Sequence, residues 1–233
     1  MNRTFRKRLA LAAAVMAAMG AAGALVGSSS LALFSGTEAG AANTFAAGTV
    51  TVGLGTGTSV TCTINNMNPG DSSGGAPIGS KTDSSCVWYV KYTGNVNAWL
   101  GVDVNITNGS TALYDGTANG LQLYLKDANS TNYLTSTAPT AGTTYKNSGG
   151  TATSLPTGTT ADLLVNTTAA PGGTAATFTL DYALPIASGN TYQGGSTTVT
   201  LTFHAVQSTD QTLPAACTTA GYQCPAATGF AWS

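Results

Sequence analysis

The twelve residues Ser196–Gln207, STTVTLTFHAVQ, limit most tightly what this chain can fold into. Val199, Leu201, Phe203 and Ala205 alternate with Thr198, Thr200, Thr202 and His204. A period of two places one set on a buried face and the other on a polar face of a β-strand. No helix accommodates that pattern. The same alternation recurs along the chain, in Val50, Val52 and Leu54, then in Val60, Cys62 and Ile64. Leu100, Val102, Val104 and Ile106 oppose Gly101, Asp103 and Asn105, and Leu121, Leu123 and Leu125 are separated by Gln122 and Tyr124. CVWYVKY at 86–92 and the run Phe178, Leu180, Tyr182, Leu184 complete the strong cases, with a shorter strand marked by Leu163 and Val165.

Gly, Asn, Ser and Pro clusters separate these runs, as turns require. Eight or nine strands without a convincing helix imply an all-β fold, a single jelly-roll or β-sandwich domain over residues 50–213. Residues 138–160 are rich in Thr, Gly, Ser and Pro and are expected to form a long surface loop. The tail, 214–233, carries two cysteines and no strand pattern.

The chain opens differently. Arg3, Arg6, Lys7 and Arg8 precede an uncharged apolar run from Leu9 to Val26 and a small-residue stretch. This is the layout of a secretory signal over residues 1–32, with Ser30-Leu31-Ala32 as a small-x-small site for cleavage after Ala32 by signal peptidase.

The rest of the chain carries four lysines, Lys81, Lys91, Lys126 and Lys146, against nine acidic residues, for a net charge of −5 and no arginine. A nucleic-acid partner needs a basic patch, and this composition supplies none. Charged residues make up 7% of the chain, against about 25% in an ordinary domain. A surface wetted by hydroxyls and amides only weakly opposes contact between copies.

Cys62, Cys86, Cys217 and Cys224 form an even set, which in an exported chain indicates disulfides. Of three possible pairings, Cys62–Cys86 with Cys217–Cys224 closes the shortest loops. Zinc held by cysteines is disfavoured, because no Cys-x-x-Cys spacing occurs and the chain has one histidine.

Catalysis finds little support. His204 alone could serve a Ser-His-Asp arrangement, and its strand position reads as an outward-facing residue. Neither a Gly-x-Ser-x-Gly elbow nor a His-Glu-x-x-His motif occurs. Asp103, Asp115 and Asp127 show no pairing along the sequence that would mark a glycosidase. Trp88, Tyr89, Tyr92 and Trp99 would mark a glycan-binding surface if exposed together, but they read better as core.

Three segments carry a resemblance. The leader ends in ALFSGTE and runs on to NTFAAGTV at 43–50. Asn68-Pro69-Gly70-Asp71-Ser72 forms the second segment. Tyr192-Gln193-Gly194-Gly195-Ser196 leading into VTLTFHAVQ forms the third. Together they resemble the TasA/camelysin family, whose members carry SipW-dependent-type signal peptides. Gly36 stands where the family usually has Asp, and the four cysteines are not a family hallmark.

The resemblance implies a secreted, non-enzymatic jelly-roll subunit of extracellular fibres or biofilm matrix. In such an assembly residues 33–49 of one copy would add as a strand to the next. Leu33, Phe34, Asn43, Thr44, Phe45, Ala47 and Gly48 are the candidate assembly residues. The expected partners are other copies of the chain, head to tail, with other matrix or cell-wall components, at the cell surface or beyond. No cofactor or metal is expected. Camelysin itself is classed as a metallopeptidase, but the motifs for that chemistry are missing from this sequence. The alternatives are a monomeric glycan-binding sandwich and, behind it, a camelysin-like protease.

Overall fold

Two antiparallel sheets face one another across one apolar core in the computed structural model. It describes residues 35–38, 52–54, 61–80, 83–209, 211–227 and 230–232. The described strands are β1 (Ser35–Glu38), β2 (Val52–Leu54), β3 (Thr61–Asn65), β4 (Cys86–Tyr92), β5 (Ala98–Asn108), β6 (Gln122–Asp127), β7 (Asn132–Ser136), β8 (Thr143–Lys146), β9 (Ala152–Ser154), β10 (Gly158–Leu164), β11 (Ala175–Ala183) and β12 (Ser196–Gln207). One sheet runs β1-β12-β5-β10, with β3 also on β12, and the other runs β2-β4-β11-β6-β7-β8-β9. The protein is an all-β sandwich.

The long strands β5 and β12 form the spine of the first sheet. Their register sets Val199 opposite Ile106, Leu201 opposite Val104, Phe203 opposite Val102 and Ala205 opposite Leu100. Each pair therefore joins two apolar residues on the inner face, and all eight are buried. A slip of one residue would turn this whole set to the outside, so the alternation itself fixes the register. The second sheet answers with Trp88, Val90 and Tyr92 from β4, Phe178, Leu180 and Tyr182 from β11, and Leu123 and Leu125 from β6. Phe178 and Phe203 meet between the sheets with ring centroids 5.1 Å apart. Burying each such side chain stabilises the fold by about 1.5–3 kcal/mol.

Cys62 on β3 is bonded to Cys86 on β4, so this disulfide staples one sheet to the other. Cys217 is bonded to Cys224 within the tail. The most economical pairing is the one that forms.

One expectation is corrected. Residues 138–160 are not one long loop, since β8 and β9 pair there as a hairpin that extends the second sheet. The tail, without a strand of its own, packs onto the sandwich. Val206, Leu164, Cys217, Cys224 and Phe230 form a second small core, joined by Trp99, Leu213 and Trp232. Backbone bonds anchor it, from Gly221 N–H to Leu164 O at 2.7 Å and from Cys224 N–H to Asp162 O at 2.7 Å. The tail thereby covers part of the outer face of the first sheet.

Candidate functional site

Two places merit a functional reading: the edge of β12 and the outer face of the sheet beneath the tail.

β12 is paired with β5 along its length, from Thr197 to Gln207. Its other edge is shared. β3 covers Ser196–Thr200, and β1 covers Phe203–Val206, with Ser35 opposite Val206 and Glu38 opposite Phe203. Part of the segment expected to join a neighbouring copy therefore lies along its own domain. Leu33, Phe34, Asn43, Thr44, Phe45, Ala47, Gly48 and the cleavage residue Ala32 lie outside the described residues.

The four aromatic candidates for glycan binding do not gather on the surface. Trp88 and Tyr92 are buried in the main core, Trp99 packs with the tail 6.1 Å from Phe230, and Tyr89 stands outward at 51% exposure.

On the outer face of the first sheet, β5, β10 and β12 bring Asp103, Asp162 and His204 together. His204 is opposite Gly101 and Asp103 is opposite Thr202, so His204 and Asp103 are diagonal neighbours on that face. β10 bulges between Thr160 and Leu163, and Asp162 adopts a φ of 41° there. His204 Nε2 lies 3.1 Å from Asp103 Oδ2 and 3.9 Å from Asp162 Oδ1. The Asp162 backbone N–H donates to the other Asp103 oxygen, Oδ1. Burial pushes the Asp162 carboxyl up to about 7; the Asp103 charge acts in the same direction and His204 opposes it.

His204 was expected to face outward. It does turn away from the main core, but it is only 8% exposed because the tail covers it. The Trp232 ring lies 6.5 Å from the imidazole and against Gly101, where a Cβ would stand 3.1–3.2 Å from the indole carbons. Trp232 Nε1 donates to Cys224 O at 2.8 Å. Sequence reasoning missed this cluster. The one available signal was that Asp103 and His204 occupy the polar faces of two apolar strands. Asp162, from a bulge, gave none.

A second carboxylate is buried on the other sheet. Asp181, 1% exposed, accepts from Ser73 Oγ at 3.1 Å, from Gly75 N–H at 3.2 Å and from Ser85 Oγ, and pairs with Lys126 Nζ at 3.3 Å. Every partner is satisfied locally, so this is a structural anchor for the segment after the Pro69-Gly70-Asp71 turn. That turn closes as its residue types predict, with Gly70 at φ 97° and Asp71 Oδ2 accepting from Asn68 N–H at 2.7 Å.

A family profile described as camelysin metallo-endopeptidase matches residues 4–74. Over that stretch the chain is similar to the TasA/camelysin family. The match takes in most of the basic and apolar N-terminal stretch, β1, β2, β3 and the Pro-Gly-Asp turn. No curated protein and no solved structure matches the chain significantly. That similarity supports a secreted protein, and the two disulfides fit an extracellular setting.

The family description implies a metal. The matched residues contain no histidine, since His204 is the chain's only one. Among the described residues, Asp103, Asp162 and His204 are the group whose donor atoms converge, all within 4.8 Å of one another. Those donors suit a cation. Their surroundings do not suit a peptidase centre, because the tail fills the space over the imidazole that a peptide substrate would need.

Proposed function

We propose that this chain is a secreted structural subunit that assembles head to tail, the N-terminal segment of one copy pairing along β12 of the next. The observation that carries this reading is the shared edge of β12. β3 leaves Phe203–Val206 to a four-residue strand contributed from the start of the domain. So short a strand gains little from pairing with its own domain, and an identical segment of a second copy offers the same hydrogen bonds. Exchange of an identical element between copies is an inexpensive route to assembly, and a head-to-tail arrangement that does not close gives filaments.

Placement along the sandwich agrees. Ser35 lies where β12 ends, opposite Val206. At the other end, where β11 finishes, an apolar groove of about 350 Å³ is lined by Gly70, Ile78, Pro139, Pro185 and Ile186. Ile186 is 85% exposed there. In this reading its occupant is the Leu33-Phe34 pair that precedes Ser35 of the neighbouring copy.

The test mixes two variants, Ser35→Cys and Val206→Cys, under oxidising conditions. Opposed residues on paired strands come within disulfide reach. A cross-linked heterodimer from the mixture, and fibres in negative stain that vanish when the chain starts at Thr49, are expected. Monomers by light scattering with no mixed cross-link would overturn the reading.

Proteolysis is the second reading, favoured by the description of the matched family. Casein hydrolysis that a chelator abolishes would put it first.

A further inference from the structure

We propose that Asp103, Asp162 and His204 form a binding site for a divalent transition-metal cation, zinc foremost, which fastens the C-terminal tail to the outer face of the sandwich. The inference is independent of how copies assemble.

Distance is the first argument. Zinc holds nitrogen and carboxylate oxygen at about 2.0–2.2 Å, which puts neighbouring donors of a tetrahedral site about 3.4 Å apart. His204 Nε2 stands 3.1 Å from one carboxylate oxygen and 3.9 Å from the other. All three donors lie within 4.8 Å of one another, so side-chain rotations that move them by about an ångström would bring them to those separations. The fourth position would be left for water.

Orientation is the second. A ligand carboxylate works best when its other oxygen is held by a hydrogen bond. Asp103 meets that condition, with Oδ1 accepting the Asp162 backbone N–H and Oδ2 turned to the imidazole. The β10 bulge sets Asp162 in a left-handed conformation that L-residues seldom adopt. That conformation delivers a second carboxylate to the same point.

Charge is the third. Two carboxylates are gathered at a half-buried place, and among the described residues the basic group paired with them is His204. Lys126 is engaged with Asp181 on the other sheet. A dication offsets the mutual repulsion of the two carboxylates. The donor types narrow the class: one imidazole with two carboxylates favours zinc over calcium or magnesium, which prefer all-oxygen sets.

The consequence for the tail follows from its contacts. Asp162 O accepts the Cys224 N–H, and Trp232 packs beside His204 while bonding to Cys224 O. An ion that fixes Asp162 and His204 fixes both supports of the tail.

The experiment uses the full chain with both disulfides formed, stripped with chelator and titrated with zinc in excess magnesium. One zinc per chain is expected. His204 is the only histidine, so its ring nitrogen resonances report the site without any substitution. They should shift in step with zinc uptake and saturate at one equivalent. Asp103→Asn and Asp162→Asn should each weaken binding about tenfold or more, and zinc should slow proteolysis within residues 211–232. Absence of zinc uptake, or uptake that leaves the His204 resonances unmoved, would overturn the proposal. If either variant fails to fold, the wild-type histidine signal still decides.

Discussion

Gly75 and Asp181 occupy space that only a glycine leaves open. The Gly75 N–H donates to Asp181 Oδ1 at 3.2 Å, and a Cβ on residue 75 would overlap both carboxylate oxygens. Asp181 is buried on β11, so the carboxylate has little freedom to retreat. Gly75→Ala should therefore break bonds to a buried charge and lower stability by about 1–3 kcal/mol. Urea unfolding of the variant beside the native chain measures it. An unchanged midpoint would mean that the 66–85 segment shifts freely and does not anchor on Asp181.

The two disulfides should contribute in different ways. Cys62–Cys86 spans 24 residues and links the sheets, so on chain-entropy grounds its removal costs about 3 kcal/mol of global stability. Replacing both by alanine should lower the melting temperature of the whole sandwich. Cys217–Cys224 spans 7 residues within the tail. Its loss should mainly speed proteolysis after residue 211, leaving the main transition near its native value. Equal falls in melting temperature for the two variants would show that the tail and sandwich unfold as one unit.

The strands that could be read from sequence are those whose one face is wholly apolar. β5 and β12 announce themselves because four inward residues on each alternate with polar ones, and burial follows that alternation. β8 and β9 do not. They are four and three residues long, built from Thr, Tyr, Lys, Ala and Ser. Hydroxyls such as Thr135 and Thr144, 3.3 Å apart, bridge this part of the sheet in place of apolar pairs. A threonine-rich strand at a sheet edge looks like a loop to any reading based on hydrophobic period. His204 shows the other limit. Alternation correctly turned it away from the main core, but its cover comes from Trp232, in a tail without periodicity. Asp162 joins the cluster through a backbone bulge, which pattern does not encode.

Asp115 offers a test of hydrogen bonding against burial. Burial raises its carboxyl pKa, but the Tyr192 hydroxyl at 2.7 Å and the Thr117 N–H and hydroxyl outweigh it, so the group sits below its ordinary value. A depressed folded pKa adds stability that is present above the unfolded value and lost as pH falls through the folded one. Tyr192→Phe should raise the Asp115 pKa, read by carboxyl carbon NMR. The accompanying stability loss should appear at neutral pH and fade in acid. A pKa that stays in place would assign the depression to Thr117 and the Asp115 backbone N–H.

Gly101 makes room for the tail. It lies opposite His204 on β5, facing outward, and the Trp232 indole rests directly on it. Gly101→Val would place branched carbons where the indole lies, and Trp232→Ala would remove the indole itself. Both changes leave the inner faces of β5 and β12 untouched, because Leu100 and Val102 point to the main core. Each should therefore expose the tail to protease and strip the cover from His204. The main unfolding transition should fall by about 1 kcal/mol or less, as for substitutions away from the core. Limited proteolysis with mass spectrometry of the fragments gives the first readout, and reaction of the single histidine with diethyl pyrocarbonate gives the second. Faster modification of His204 in both variants is expected. If neither proteolysis nor modification changes, the tail is held by the Cys217–Cys224 loop and its backbone bonds at Leu164 and Asp162, and Trp232 contributes nothing to keeping it in place.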